Sequence, residues 1–204
     1  MARAFSEIAY TPKVLAMQER QGSAAAYAKF LKPEAGRNDR LGPAEAAFIA
    51  ERDGFYQATV SETGWPYVQF RGGPKGFLRV LDERTIGYAD FRGNRQYISV
   101  GNLQGDDRVS LILIDYPGQH RLKLFGHARL VDAADDPALV GSLHPPAYEA
   151  RPERAVLIRI EGYDWNCQQH IPQRFTIEEL EAHLAPLRAE IARLNAGRGE
   201  DAAT

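Results

Sequence analysis

Three clusters of cations carry the chemistry most visible in this chain. Arg71-Gly72-Gly73-Pro74-Lys75-Gly76 sets two positive side chains around adjacent glycines. Glycine lets backbone N–H groups approach a ligand closely, and an arginine forks onto a phosphate or carboxylate through paired donors. Asp90-Phe91-Arg92-Gly93-Asn94-Arg95-Gln96 follows, and Asn94–Leu103 is long enough for one helix. Amides at a helix N-terminus attract anions, and Arg95 would add a full charge there. Arg121 and Lys123 alternate with Leu122 and Leu124, so on a strand both cations face one side. Each cluster alone reads first as a turn, as solvated charge or as an outer strand face. Three of them in one β-rich region point to a single anion site.

A fourth segment, Asp164-Trp165-Asn166-Cys167-Gln168-Gln169-His170-Ile171-Pro172, is aromatic and amide-rich. Trp165 offers a flat face to a ring ligand. Asn166, Gln168 and His170 offer donors and acceptors suited to a heterocycle edge, on one side of an extended chain. Cys167 is the sole cysteine. It excludes an intrachain disulfide and a thiolate zinc cage, and it reads as a partly buried, unreactive thiol in a reducing compartment. The five histidines are scattered without metal-ligand spacing. No nucleophile elbow, zinc-protease helix or phosphate loop of the nucleotide-hydrolase type occurs.

The elements that must position these residues alternate in kind. Helix signals open the chain: Thr11-Pro12, then Ser23 to Leu31, then Pro43 to Arg52, with a polar loop from Lys32 to Leu41. Strands are expected at Phe55–Ser61, Tyr67–Arg71, Phe77–Leu81, Thr85–Ala89, Val109–Asp115, Arg121–Val131 and Ala155–Asp164. Short strands separated by turn signals indicate an antiparallel barrel or sandwich rather than βαβ units. Thr176 and Glu179 have capping-box spacing. Ile177, Leu180, Leu184, Leu187, Ile191 and Leu194 then recur at intervals of 3, 4, 3, 4 and 3, with Pro186 expected to kink or split the helix. That stripe packs on its own domain or forms a dimer contact. Gly197 to Thr204 reads as a frayed tail.

Three stretches now resemble the FMN-binding split-barrel proteins related to pyridoxamine 5'-phosphate oxidase. They are Phe55–Val60 with Gly64–Pro74, Tyr88–Gln96, and Trp165–Ile171. The last is similar to a Trp-Asn-Cys-Pro-Gln-His-Ile signature of one subgroup, with Gln168 in place of its proline. The resemblance covers about residues 40 to 175. It implies a mainly β fold, a six-stranded split barrel with flanking helices, forming a homodimer with FMN at the subunit interface. The domain organisation it implies is a helical extension over 1–42, the barrel over 43–175, and a C-terminal helix and tail over 176–204.

The resemblance also implies a cofactor set. Arg71 matches a strand-end arginine that holds the FMN phosphate, alongside Gln69, Gly72 and Gly73. Arg95 and Gln96 match an Arg-Lys pair at a helix start, so one cation of that grip is replaced, and Tyr88, Asp90 and Asn94 lie in the same stretch. Arg121 matches a glutamine directed at the flavin, with Lys123 beside it. Trp165 matches a tryptophan near the flavin edge, with Asn166 and Gln168 following. The Arg-Leu-His substrate pattern of the true oxidase is absent, so pyridoxamine phosphate is not the expected substrate. The implied activity is FMN-dependent transfer of hydride or electrons to a small molecule, with NAD(P)H as a candidate donor. The alternatives are a non-catalytic flavin carrier or redox sensor, and a related barrel binding haem or a deazaflavin.

Charge accounting agrees with a small anionic ligand. Over all 204 residues, 25 Lys+Arg against 27 Asp+Glu give a formal charge of -2. That excludes a nonspecific nucleic-acid binder. From Gln69 to Phe125, however, nine cations face six carboxylates, while from Thr176 onward three face six. No apolar run approaches the ~20 residues of a membrane span, and a cytoplasmic protein is expected.

Overall fold

The computed structural model describes residues 3–165 and 169–201. Residues 3–115 with 120–165 form one compact unit, and residues 116–119 with 169–201 form a second.

The first unit is built on one seven-stranded antiparallel sheet. Its strands are β1 (Gly54–Val60), β2 (Pro66–Gly72), β3 (Arg79–Asp82), β4 (Thr85–Phe91), β5 (Arg108–Asp115), β6 (His120–Asp132) and β7 (Pro152–Trp165), in the order β2-β1-β5-β6-β7-β4-β3. Four strands separate β2 from β4 in that order, yet their side chains meet: Arg71 Nη1 lies 2.7 Å from Asp90 Oδ1. Tyr88 on β4 likewise donates to Gln57 Oε1 on β1 at 2.8 Å. The sheet is therefore curled into a barrel that stays unpaired between β2 and β3. Phe55, Ile86, Tyr88, Leu111, Leu113, Leu122, Leu124 and Ile158 fill the interior. The strand alternation of apolar residues puts this set on one face.

One bulge decides where the end of β7 points. Ile160 pairs with Gly126 and Gly162 with Phe125, so Glu161 is an extra residue. Val156, Ile158 and Ile160 face inward before it, and Tyr163 and Trp165 after it. The bulge thus exchanges even for odd positions. A Cβ on Gly126 would stand 2.5 Å from the Arg159 carbonyl oxygen, so only glycine fits this crossing.

Four helices pack on this barrel: α1 (Arg3–Ala9), α4 (Pro43–Ala50), α5 (Ile98–Gly105) and α6 (Pro137–Leu143), while α2 (Pro12–Arg20) and α3 (Ala24–Ala28) pack against each other. α1 seats Phe5 against Phe125 on the outer face of β6, ring centroids 4.7 Å apart. α5 is pinned to β1 and β2 by Asn102 Nδ2 donating to Thr59 Oγ1 and Ser99 Oγ donating to Gln69 Oε1.

Several boundaries differ from expectation. α1 and α6 were not anticipated, each being only seven residues long. The helix expected from Asn94 begins at Ile98. Asn94 Oδ1 accepts from the Gln96 amide, and Arg95 and Tyr97 hold φ of 64° and 53°, which no right-handed helix accommodates. In the second unit, α7 (Ile177–Asp201) runs through Pro186 and past Gly197, against the expected split and frayed tail. Proline removes one N–H from the ladder, and the remaining bonds carry the helix past it. The expected capping box is formed, with Thr176 and Glu179 exchanging both bonds. Ile177, Leu180, Leu187 and Ile191 are exposed.

Gly126→Ala should lower stability by about 2 kcal/mol through the forced backbone shift. Urea denaturation would show a reduced midpoint with an unchanged slope.

Candidate functional site

The site grows from a buried carboxylate. Asp90, near the end of β4, pairs with Arg154 on β7 by strand register. Its Oδ2 lies 2.8 Å from Arg154 Nη1 while Oδ1 takes Arg71 Nη1. All three side chains are at least 86% buried, with exposures of 7%, 11% and 14% for Asp90, Arg154 and Arg71. Arg154 also reaches Asp132 and Glu153, at 3.2 and 3.5 Å. Burial pulls the Arg154 guanidinium down, but the bonds and charges of Asp90, Asp132 and Glu153 outweigh it and hold its pKa above the ordinary value. Arg71 directs one bond to Asp90, and its Nε is buried without a hydrogen-bond partner.

Above this pair lies a cavity of about 220 Å³. β2 contributes Tyr67, Gln69 and Arg71 to it, β4 contributes Asp90 and Phe91, and β7 contributes Glu153 and Arg154. The turn into α5 adds Asn94, Arg95, Gln96 and Tyr97, and the first turn of α5 adds Ser99. Three arginines therefore face two carboxylates. Arg95 is exposed and has no hydrogen bond or ion pair among the described residues. The arrangement suits a small anion that supplies acceptors to Arg71 and Arg95.

Of the residues expected from the sequence, this cavity gathers Gln69, Arg71, Asp90, Asn94, Arg95 and Gln96. Gly72 and Tyr88 line a smaller neighbouring space with Arg71 and Asp90. Gly73 donates its amide to the Asp53 carbonyl, and a Cβ there would meet the Phe77 ring at 2.7 Å, so packing accounts for this glycine. Arg121 and Lys123 share the outer face of β6, as period two requires, and do not line the cavity. Lys123 sits 3.1 Å from Asp164 and over the Phe5 ring. Trp165 donates from Nε1 to Glu45 and meets Phe48 edge-on, also away from the cavity. Asn166, Cys167 and Gln168 lie outside the described residues.

Reading the sequence missed Tyr67, Tyr97, Ser99, Glu153 and Arg154. Only the pairing of β4 with β7 brings Arg154 to Asp90, across 64 residues. The left-handed backbone at Tyr97 carries no sequence signal either. Among the described residues no cluster of His, Cys, Asp and Glu could hold a metal ion, and no helix is long and apolar enough to cross a membrane.

Comparison with known proteins supplies the lineage of this barrel. The family profile described as pyridoxamine 5'-phosphate oxidase matches residues 41–164, from before α4 to the end of β7. The chain belongs to the pyridoxamine 5'-phosphate oxidase family. Among solved structures it is similar to an FMN-binding protein from Syntrophomonas wolfei subsp. wolfei, at 10% identity over 73% of this chain and 97% of that one, with a TM-score of 0.47. An F420 reductase is similar at 20% identity, over 60% and 98% of the two chains, with a TM-score of 0.42. HutZ, the haem storage protein from Vibrio cholerae, is similar at 18% identity, over 61% and 94%, with a TM-score of 0.37. No curated protein matches the chain.

Two outcomes test the site's electrostatics. Asp90→Asn leaves two buried guanidinium groups facing a neutral amide and should cost about 3 kcal/mol, read by chemical denaturation. Alkaline pH tests the tyrosines. Burial, with Glu45 adding to it, pushes the Tyr163 hydroxyl up to about 12, and burial raises Tyr88 further still. The folded state then keeps protons that the unfolded chain releases near pH 10. This stabilisation is complete below pH 10 and is lost as pH rises through 12. Ultraviolet titration should show two tyrosines that ionise only with unfolding, and Tyr163→Phe should flatten the alkaline fall in stability.

Proposed function

We propose that this protein is an FMN-binding flavoprotein, an oxidoreductase that passes hydride or electrons to a small-molecule substrate with NAD(P)H as the donor. The observation that carries this reading is the pairing of Arg71 and Arg95 in one cavity, with the Arg71 Nε buried and unpartnered. A phosphate supplies the acceptors those donors lack.

The residues present fit such a group. Arg71 would hold the phosphate from the barrel side and Arg95 from solvent. The Ser99 hydroxyl and Gln69 keep β2 and the start of α5 in register around it. Gln96 contributes an amide where a second cation is implied by the family resemblance, so charge in this grip falls on the arginines. At about 220 Å³ the cavity is smaller than the ~300–1,000 Å³ of pockets that enclose a whole ligand. It accommodates the phosphate end, and the ring extends beyond it. A bound flavin supplies hydride and electron transfer. The protein's part is to bind, orient and shield it.

A homodimer fits the same reading. Phe70, Tyr56 and Ile112 stand side by side across β2, β1 and β5, and all three are exposed, as is Val68. An exposed apolar row on a sheet face favours a symmetric contact with a second copy. On this reading Arg121, Lys123 and Trp165, remote from the cavity within one chain, serve only if a partner's cofactor comes to them.

The absorption spectrum of the purified protein tests the proposal. Flavin bands, and NAD(P)H oxidation with an added acceptor, support it. A colourless protein that takes up no added FMN overturns it, and a Soret band would assign haem instead. Arg95→Ala should weaken FMN binding by at least ~1.5 kcal/mol with unchanged melting, since Arg95 is exposed and contributes no packing.

A further inference from the structure

We propose that α7 pairs with α7 of a second copy of this chain, running antiparallel to it about a two-fold axis between Ala185 and Pro186. This contact is distinct from the exposed apolar row on the sheet, and it stands without the flavin reading.

The apolar stripe of α7 is open to solvent. Ile177, Leu180, Leu187 and Ile191 are between 47% and 78% exposed, with Leu184 half-buried among them. Single exposed apolar side chains are ordinary, but a row of them along one helix side marks an interaction surface. The opposite side carries Ala182, Ala185, Pro186, Ala189 and Ala192, which offer little to bury. Large apolar side chains are thus confined to one line with heptad spacing, the narrow seam of a two-helix contact. Pro186 lies off that line, so its missing N–H falls outside the seam.

The symmetry of the stripe says what occupies it. Leu180, Leu184, Leu187 and Ile191 are spaced by 4, 3 and 4 residues, a series that reads the same from either end. An antiparallel copy turned about the midpoint sets Leu184 against Leu187 of the second copy, and Leu180 against its Ile191. Every contact then occurs twice, as an isologous interface requires.

Charge fixes the direction. Glu181 and Arg188 flank the stripe on one side, and within one chain they bond at 2.6 and 3.3 Å. Both side chains are more than half exposed, so an exchange of partners loses no buried bond. In the antiparallel arrangement each Glu181 comes beside Arg188 of the second copy, and flanking charges of this kind set orientation. A parallel pair would instead bring Glu181 to Thr176 and Glu190 to Asn195, with no opposite charges meeting among the described side chains.

Distances between nitroxide labels on the full-length chain test the proposal. Cysteine is placed at Glu178, Ala185 or Ala192, each in a Cys167→Ser background so that one label is carried per chain. These three positions share one heptad place, so only their offset along the axis differs. At 1.5 Å per residue the antiparallel pair predicts axial offsets of about 22, 2 and 20 Å between the two copies. The separation measured by double electron–electron resonance should therefore be shortest at residue 185 and clearly longer at 178 and 192. Leu184→Glu with Leu187→Glu should abolish the short distance, and these side chains line a surface rather than the barrel core. Glu181→Arg and Arg188→Glu should each weaken it alone, and co-expression of the two variant chains should restore it. That recovery separates the contact between copies from the bond within one helix, which both variants lose. Equal distances at all three positions, no defined distance at residue 185, or a short distance that survives Leu184→Glu with Leu187→Glu would each overturn the proposal. A dimer held by the sheet face alone gives the last of these results.

Discussion

The carboxylate of Asp90, clamped between Arg71 and Arg154, is the constraint on which the rest of the site depends. Two guanidinium groups buried side by side repel one another and lose hydration, and one buried carboxylate accepting from both offsets each cost. The arginines are thereby set in place before any ligand arrives. Because the three residues come from β2, β4 and β7, the same ion triad ties one edge of the sheet to its distant strands. Holding the charge and curling the sheet are one requirement here. Among the described residues, Arg154 is fully engaged by carboxylates, whereas Arg71 retains an unpartnered Nε and Arg95 an unpaired charge. The difference between structural and available cations is what gives the cavity its character.

Below the triad the barrel works as a rigid support. The Gly126 crossing turns the end of β7 so that Tyr163 and Trp165 join the interior, where Trp165 locks onto Glu45 of α4. On the outside, Phe5 of α1 stacks on Phe125, and a Cβ at Gly162 would stand 2.7 Å from the Phe5 amide nitrogen. Residues before the family-matched segment thus cover the outer face of β6 and β7. Lys123, which sequence spacing suggested for an anion, lies under that cover with Asp164 as its partner.

Local signals and non-local ones fared differently. The seven strands were legible because short β-branched and aromatic runs are cut by turns such as Glu62-Thr63-Gly64 and Glu83-Arg84. The family was legible from Phe55–Val60, Gly64–Pro74 and Tyr88–Gln96, which fall inside the matched residues 41–164, whereas Trp165–Ile171 lies beyond them. The capping box at Thr176 and Glu179 was legible because its spacing encodes its own geometry. By contrast, Arg154 is one of many arginines until β4 and β7 pair. The side facing of β7 cannot be read past a bulge, since period two fails by one residue at Glu161. The turn before α5 is hidden as well: Asn94-Arg95-Gln96-Tyr97 scores as helix, and only the left-handed backbone at Arg95 and Tyr97 delays the helix to Ile98. That delay leaves Arg95 on a projecting turn rather than on the helix surface.

If Arg71 and Arg95 together form a phosphate grip preset by Asp90, the cofactor's phosphate, and not its ring, should dominate recognition. Comparing the affinity of the flavin-free protein for FMN with that for riboflavin isolates this contribution, because the two ligands differ only in the phosphate. The account predicts that FMN binds at least ~10-fold more tightly. Equal affinity for the two would contradict it.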